Sequence, residues 1–258
     1  MTLTHVPLLH IQRDLYALPR GMERFREYIR TMTDAETGDL ALPLVAMNPM
    51  GKDHVPALID GYLALAAERV AADAVAEAAP RLQGGDAAYK VCLVVSDDLK
   101  GGWTNRYASE FGHRIEGAAI TRRGWLVGLL WTSEPPSAAA VREAVLTSIY
   151  RADYRQTHAA ARTLGEMLTQ EGYAAARAGC TTPALDADDL EYSRGVIAPH
   201  LQATDRATVI PCLYGDPAAH ALGYPPQGLT DRAGFALALS DARTKPTGDQ
   251  EIRRKLFS

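Results

Sequence analysis

The stretch Lys90–Arg114, KVCLVVSDDLKGGWTNRYASEFGHR, decides how the chain is read. Val91, Leu93, Val94 and Val95 form an apolar, β-branched run, which stops at two carboxylates, Asp97 and Asp98, ahead of Gly101 and Gly102. A continuous apolar run bounded by turn residues predicts a buried strand. The loop behind it is dense in polar groups. Gly101 and Gly102 let a backbone approach a ligand closely, while Asp97, Asp98, Lys100, Asn105 and Arg106 supply acceptors and donors around the flat ring of Trp103. Ligands of open α/β sheets bind beyond the carboxyl ends of strands, so a site is expected here first. The competing reading is structural: the glycines make the turn, the aspartates cap the next helix and Trp103 is core. Adjacent aspartates on extended backbone point opposite ways, so one of the two is expected to enter a site.

On the carboxyl side of the loop, Asn105 to Ile115 reads as a helix that puts Glu110 and His113 on one face, the spacing of carboxylate–histidine metal sites. With Asp98 folded back toward them, the set would suit a divalent cation, Mg²⁺ or another, held by oxygens and one imidazole. A plain charge pair is the other interpretation. Ala118–Thr121 and Trp125–Thr132 flank Arg122-Arg123-Gly124 and predict a hairpin. The expected fold class is therefore α/β or α+β, with a mixed or largely antiparallel central sheet and alanine-rich helices packed on it.

Toward the amino terminus, Met22, Phe25, Ile29 and Met32 recur at helical spacing, with Arg24, Arg26, Glu27 and Arg30 over much of the remainder: an amphipathic surface helix. Asn48-Pro49-Met50-Gly51-Lys52-Asp53-His54 is a second polar cluster. It is not a Walker loop, because Ala46 stands where the first glycine belongs and Asp53 where a Ser or Thr belongs. Asp53 is read as a helix cap, and Lys52 and His54 as candidate ligand-binding residues on a polar loop. Val55–Ala79 is alanine-rich and helical.

Beyond the central region, Glu134-Pro135-Pro136 is the clearest break, marking a candidate subdomain boundary at 133–137 inside a single globular domain of 258 residues. Helices are expected to Tyr150 and from Asp153 to Ala178, a strand at Thr208–Leu213, and a polar tail over 243–258.

Composition narrows the classes. Hydrophobic residues make up 47% and charged residues 22% of the chain, as in an ordinary globular protein, and the net charge of -4 with interspersed signs gives no footprint for nucleic acid or an anionic membrane. Arginine outnumbers lysine and alanine is abundant, a bias that accompanies GC-rich bacterial genomes. Cys92, Cys180 and Cys212 are odd in number and widely spaced, which argues against a disulfide framework or a CxxC zinc site. No apolar run approaches a membrane span, and the expected location is cytoplasmic.

Ser96-Asp97-Asp98 at the end of an apolar strand resembles the acidic motif with which some glycosyltransferases hold a metal-bound nucleotide sugar. The resemblance covers those three residues, with Ser96 where an aspartate is usual, and no activity is carried over from it. HExxH, GxGxxG, GxSxG and paired CxxC motifs are absent from the sequence. Two functional expectations result. One is a small-molecule enzyme acting on a polar or phosphorylated metabolite at the Asp97–Arg106 loop: Asp97, Asp98 and Lys100 catalytic, Gly101, Gly102, Trp103, Asn105 and Arg106 binding, with a divalent metal assisting. The other is a noncatalytic ligand-binding module or a subunit of a larger assembly, a homo-oligomer included.

Overall fold

A computed structural model describes residues 1–82, 85–99 and 104–244, and the chain divides into two compact units, Met1–Thr157 and the residues from His158 onward. The sheet belongs to the first. Strands β1 (Thr2–His5), β2 (Ala88–Ser96) and β3 (Trp125–Trp131) lie side by side in that order. Both pairings are parallel, with His5 opposite Val91, Lys90 opposite Trp125 and Ser96 opposite Trp131. The fold is mixed α/β, but the sheet is neither mixed nor antiparallel as the sequence led us to expect. Ala118–Thr121, read as the first arm of a hairpin, lies in a helix, α6 (Ala118–Arg122). It follows α5 (Arg106–Arg114), and together they form the crossover that parallel neighbours require. Gly124, with φ at 76°, then turns the chain into β3 in a left-handed conformation open to glycine.

Six consecutive residues of β2, Val91 to Ser96, are buried, as are Trp125 to Gly128 in β3. Burial on both faces is the condition of a parallel sheet covered by helices, and it explains why both strands are unbroken apolar runs. Between β1 and β2 run α1 (Leu9–Ala17), α2 (Met22–Met32), a 3-10 turn at Leu44–Ala46, α3 (His54–Ala64) and α4 (Ala67–Ala78). Helix α7 (Ala138–Thr157) packs over β3 and β2, α4 packs against β1 and α7, and α1 packs against β2 and α3. At Gly128 the helix and strand come close enough that a Cβ would sit 3.0 Å from Leu93 Cδ2 and 3.1 Å from the Ala144 carbonyl carbon.

Side chains finish both flanks of this short sheet. β1 stops opposite Val91, and beyond it the fully buried Gln12 takes the place of a strand: its Nε2 donates to Val95 O at 2.6 Å, and Val95 N donates to its Oε1 at 2.9 Å. On the outer edge of β3, His113 Nε2 donates to Val127 O at 2.7 Å.

Helix α2 is turned away from the expected orientation. Arg24 and Tyr28 face inward, whereas Met22 and Ile29 are 59% and 40% exposed. Arg24 is held by carbonyls just past the end of α1 and in the loop before α3. Its Nε donates to Leu18 O at 2.8 Å, a terminal nitrogen donates to Gly51 O at 3.2 Å, and the guanidinium lies over the Tyr16 ring. Tyr28 Oη donates to Leu44 O at 3.2 Å.

The second unit is helical throughout its described residues: α8 (Leu164–Ala178), α9 (Ala187–Ile197), α10 (Arg206–Tyr214), α11 (Asp216–Leu222) and α12 (Ala233–Thr244). The strand expected at Thr208–Leu213 lies inside α10, whose amino end is fixed by Asp205 accepting from Thr208 N at 2.9 Å. A side-chain cap thus prevails over β-branched propensity. The helix expected from Asp153 to Ala178 is interrupted: α7 ends at Thr157, and α8 begins behind a capping box of Thr163 and Glu166. The division between units falls in this connection, while Pro135 and Pro136 lie within the first unit. Most of the polar tail, 245–258, is outside the described residues. The three cysteines are buried and no disulfide joins them. Among the described residues, no helix is long and apolar enough to cross a membrane.

Candidate active site

Parallel strands deliver their carboxyl ends to one edge, and there the end of β2 meets the start of α3. Asp97, the residue after β2, is 1% exposed. His54, at the first position of α3, approaches it with Nε2 at 2.8 Å from Oδ1. Asn48 Nδ2 donates to Oδ2 at 3.1 Å, and Thr132 Oγ, just past β3, lies 3.0 Å from Oδ1. Burial by itself would raise the Asp97 pKa, but the hydrogen bonds from His54, Asn48 and Thr132 outweigh it and hold the carboxyl below its ordinary range. Asp97 is therefore an anion, and an anion facing Nε2 favours a proton on that nitrogen. Nδ1 is buried and without a hydrogen-bond partner.

The loop carrying Asn48 is itself fixed. Met50 N donates to Asn48 Oδ1 at 3.0 Å, which assigns the amide's orientation toward Asp97, and Tyr16 Oη and Gly51 N both donate to the Asn48 carbonyl. Asp53 occupies the cap position of α3, but its side chain makes no capping bond, contrary to expectation.

Asp98 points into a different set of partners. It accepts from Ser133 N at 2.8 Å and Ser133 Oγ at 2.6 Å, and it shares the Thr132 hydroxyl, whose single proton serves one aspartate at a time. Arg106 completes this cluster, reaching Asp98 at 3.5 Å, Glu110 at 3.7 Å and Glu134, while stacking on the Trp131 ring. A guanidinium surrounded by three carboxylates is neutralised in place and is not held ready for an anionic ligand.

The residues expected from sequence thus separate. His54 and Asp97 come together. Asp98 and Arg106 join a structural ion cluster, Asn105 caps α5 by accepting from Ala108 N at 3.1 Å, and Lys52 is exposed. Lys100, Gly101, Gly102 and Trp103 lie outside the described residues. The metal set Asp98, Glu110 and His113 is not assembled: Glu110 pairs with Arg114 at 2.7 Å, His113 is engaged by Val127, and no group of three or more His, Cys, Asp or Glu among the described residues could hold a metal ion. The donors present do not fit Mg²⁺, because the Asp98 oxygens are already taken by hydroxyls, an amide and a guanidinium.

Asn48 and Thr132 are the site residues that sequence reasoning missed. The signal for Thr132 was register, since it stands one residue past Trp131 as Asp97 stands one past Ser96. A groove of about 560 Å³ between α1 and α2, floored by Ile11, Leu15 and Leu18, shares no lining residue with this site. His54 thus carries a buried nitrogen without a hydrogen-bond partner on a ring whose other nitrogen faces a buried carboxylate.

In fold and site, the first unit is a three-stranded parallel α/β layer carrying a carboxylate–histidine pair at its carboxyl edge. No protein-family model, curated protein or solved structure matches the chain.

Proposed function

We propose that the first unit is a small-molecule enzyme in which His54 acts as general base and acid on a polar metabolite bound at the carboxyl edge of the sheet. The observation that carries this reading is the pair itself: Nε2 is committed to a buried aspartate and Nδ1 is buried without a partner. A buried polar atom without a partner costs free energy, so a nitrogen left in this state beside a committed Nε2 is placed to accept from a ligand. Asp97 plays the orienting part, holding the tautomer and stabilising the imidazolium when Nδ1 takes a proton from a substrate O–H or N–H. Asn48 and Thr132 keep Asp97 ionised. With Arg106 neutralised by its own carboxylates, a phosphorylated substrate has less support than an uncharged polar one. No metal enters this reading. The expected assembly role of a noncatalytic protein is favoured by a separate observation, the exposed apolar side of α2, and it does not account for the orphaned Nδ1.

The test has two readouts. Long-range ¹H–¹⁵N spectra of histidine-labelled protein should show His54 as the Nε2–H tautomer, and Asp97→Asn should abolish that preference. A thermal-shift screen against sugars, nucleosides and amino acids should yield a ligand whose stabilisation disappears in His54→Gln, and turnover of that ligand should fall by about 10²–10⁴ in this variant. An Nδ1–H tautomer, or a ligand bound and turned over equally by His54→Gln, would sink the proposal.

A further inference from the structure

Arg24 is a buried cation, 7% exposed, with no ion-pair partner among the described residues, and burial pushes its pKa down. Its hydrogen bonds go to backbone carbonyls in two separate places. At the end of α1 its terminal nitrogens reach Leu18 O at 2.5 Å and Tyr16 O at 3.4 Å, and in the loop before α3 they reach Gly51 O at 3.2 Å and Pro49 O at 3.5 Å. Taking a guanidinium out of water without a counter-charge costs stability, so its place in the fold is explained by what its rigid fork holds together.

The loop it holds is the one that reaches the site. Asn48 donates to Oδ2 of Asp97 and His54 faces Oδ1, so the two ends of segment 48–54 grip the two oxygens of one carboxylate. Between those ends the segment is fastened twice to the α1 and α2 pair: Tyr16 Oη donates to Asn48 O at 2.5 Å, and Arg24 donates to Gly51 O. It is also closely packed, since a Cβ on Gly51 would lie 2.8 Å from Val55 Cγ2 and 3.1 Å from both Asn48 O and Tyr16 Oη. A segment held this closely sets where its end residues point, and a misplacement of about 1 Å is enough to spoil a catalytic geometry. The geometry points to Arg24 as a positioning residue for the His54 and Asp97 pair, acting through the 48–54 loop without touching the pair itself. It gives a reason for the rotation of α2, which buries this charge and leaves Met22 and Ile29 outside. For any effect on turnover the inference rests on the reading of His54 as the working residue, whereas the effect on the His54 ring stands apart from that reading.

Long-range ¹H–¹⁵N spectra of the full chain with labelled histidines test this, and His113 serves as the internal control because Val127 holds its ring at the outer edge of β3. In Arg24→Met the ratio of the two His54 tautomers should move toward equality by about tenfold, the worth of roughly one hydrogen bond, while His113 keeps its wild-type signals. Tyr16→Phe, which releases the Asn48 carbonyl alone, should move the ratio in the same direction by less. Tyr28→Phe removes a hydrogen bond from the same helix to Leu44 O, outside the loop, and should leave His54 as in the wild type. Lost stability is what any buried residue would show, so the readout is the ratio at His54 and not the melting temperature. Wild-type His54 signals in a folded Arg24→Met overturn the inference, as does an equal change in Tyr28→Phe. Loss of the His113 signals means that Arg24→Met has not folded, and Arg24→Lys then decides. Keeping the charge without the fork, it should move the His54 ratio in the same direction, and an unmoved His54 there overturns the inference. Every variant is read against the wild-type ratio, whichever tautomer the wild type prefers, so a His54 that catalyses nothing would sink the proposed function and leave this inference standing.

Discussion

Gln12 closes the flank of β2 where β1 has ended. Its amide satisfies both backbone groups of Val95, two residues before the proposed orienting carboxylate. Gln12→Leu leaves a buried N–H and a buried C=O unpaired, and should cost about 2–6 kcal/mol in urea unfolding, since each orphaned group costs about 1–3 kcal/mol. His113 offers a test by pH. Burial, and next the nearby Arg151, push its pKa down to about 4. Above about pH 7 the ring is neutral folded and unfolded. Between the unfolded value near 6.5 and the folded value near 4, the unfolded chain takes up a proton that the folded protein refuses, so stability falls as pH drops through that window. Denaturation from pH 7.5 to 4.5 should show up to about 1.4 kcal/mol per pH unit of slope that His113→Gln, still able to donate to Val127, lacks. At this scale His54 and Asp97 were legible in the sequence as separate candidates, a polar loop residue and a carboxylate ending an apolar run. Their pairing was not, because it joins residues 43 positions apart. Glu110 and His113 failed for the opposite reason. Their helical spacing was real, but Arg114 and a strand carbonyl claimed them.

Among the elements, β2 was legible because an unbroken apolar run has few alternatives. β3 was legible as a strand and misjudged in direction. Arg122-Arg123-Gly124 looks like a hairpin turn, and Ala118–Thr121 contains β-branched residues, yet two consecutive strands without polar alternation already pointed to parallel pairing. Helix α2 was found from its period, while its rotation was not, since nothing local announces that Arg24 will be drawn inward by carbonyls of Leu18 and Gly51. The contact of α7 with β3 supplies the prediction at this scale. Gly128→Val drives methyl groups into Leu93 and the backbone of Ala144, and should destabilise the first unit by at least about 1–3 kcal/mol, the usual cost of overpacking. Thermal denaturation of the variant measures it, and an unchanged midpoint would mean that α7 is free to move away.

At the scale of the molecule, the chain joins an α/β unit to a helical one through residues 158–163, of which 158–160 and 162 are exposed. Proline drew attention to 133–137, but those residues lie beside the ion cluster of Arg106 and belong with the sheet. The division between the units carries a quieter signature, the Thr163–Glu166 capping box, which starts a helix afresh where helical composition alone suggested continuation. Limited trypsin digestion should therefore cut after the exposed Arg162 before it cuts between Met1 and Thr157, and mass spectrometry of the first fragments decides the point. The edge of β3 bears on how the molecule meets other chains. An edge strand with free carbonyls is a template on which an extended peptide can align and on which sheets grow into aggregates. The imidazole of His113 occupies one position of that template, the Val127 carbonyl, from within the fold. An extended peptide pairing along β3 would have to displace the ring from that carbonyl.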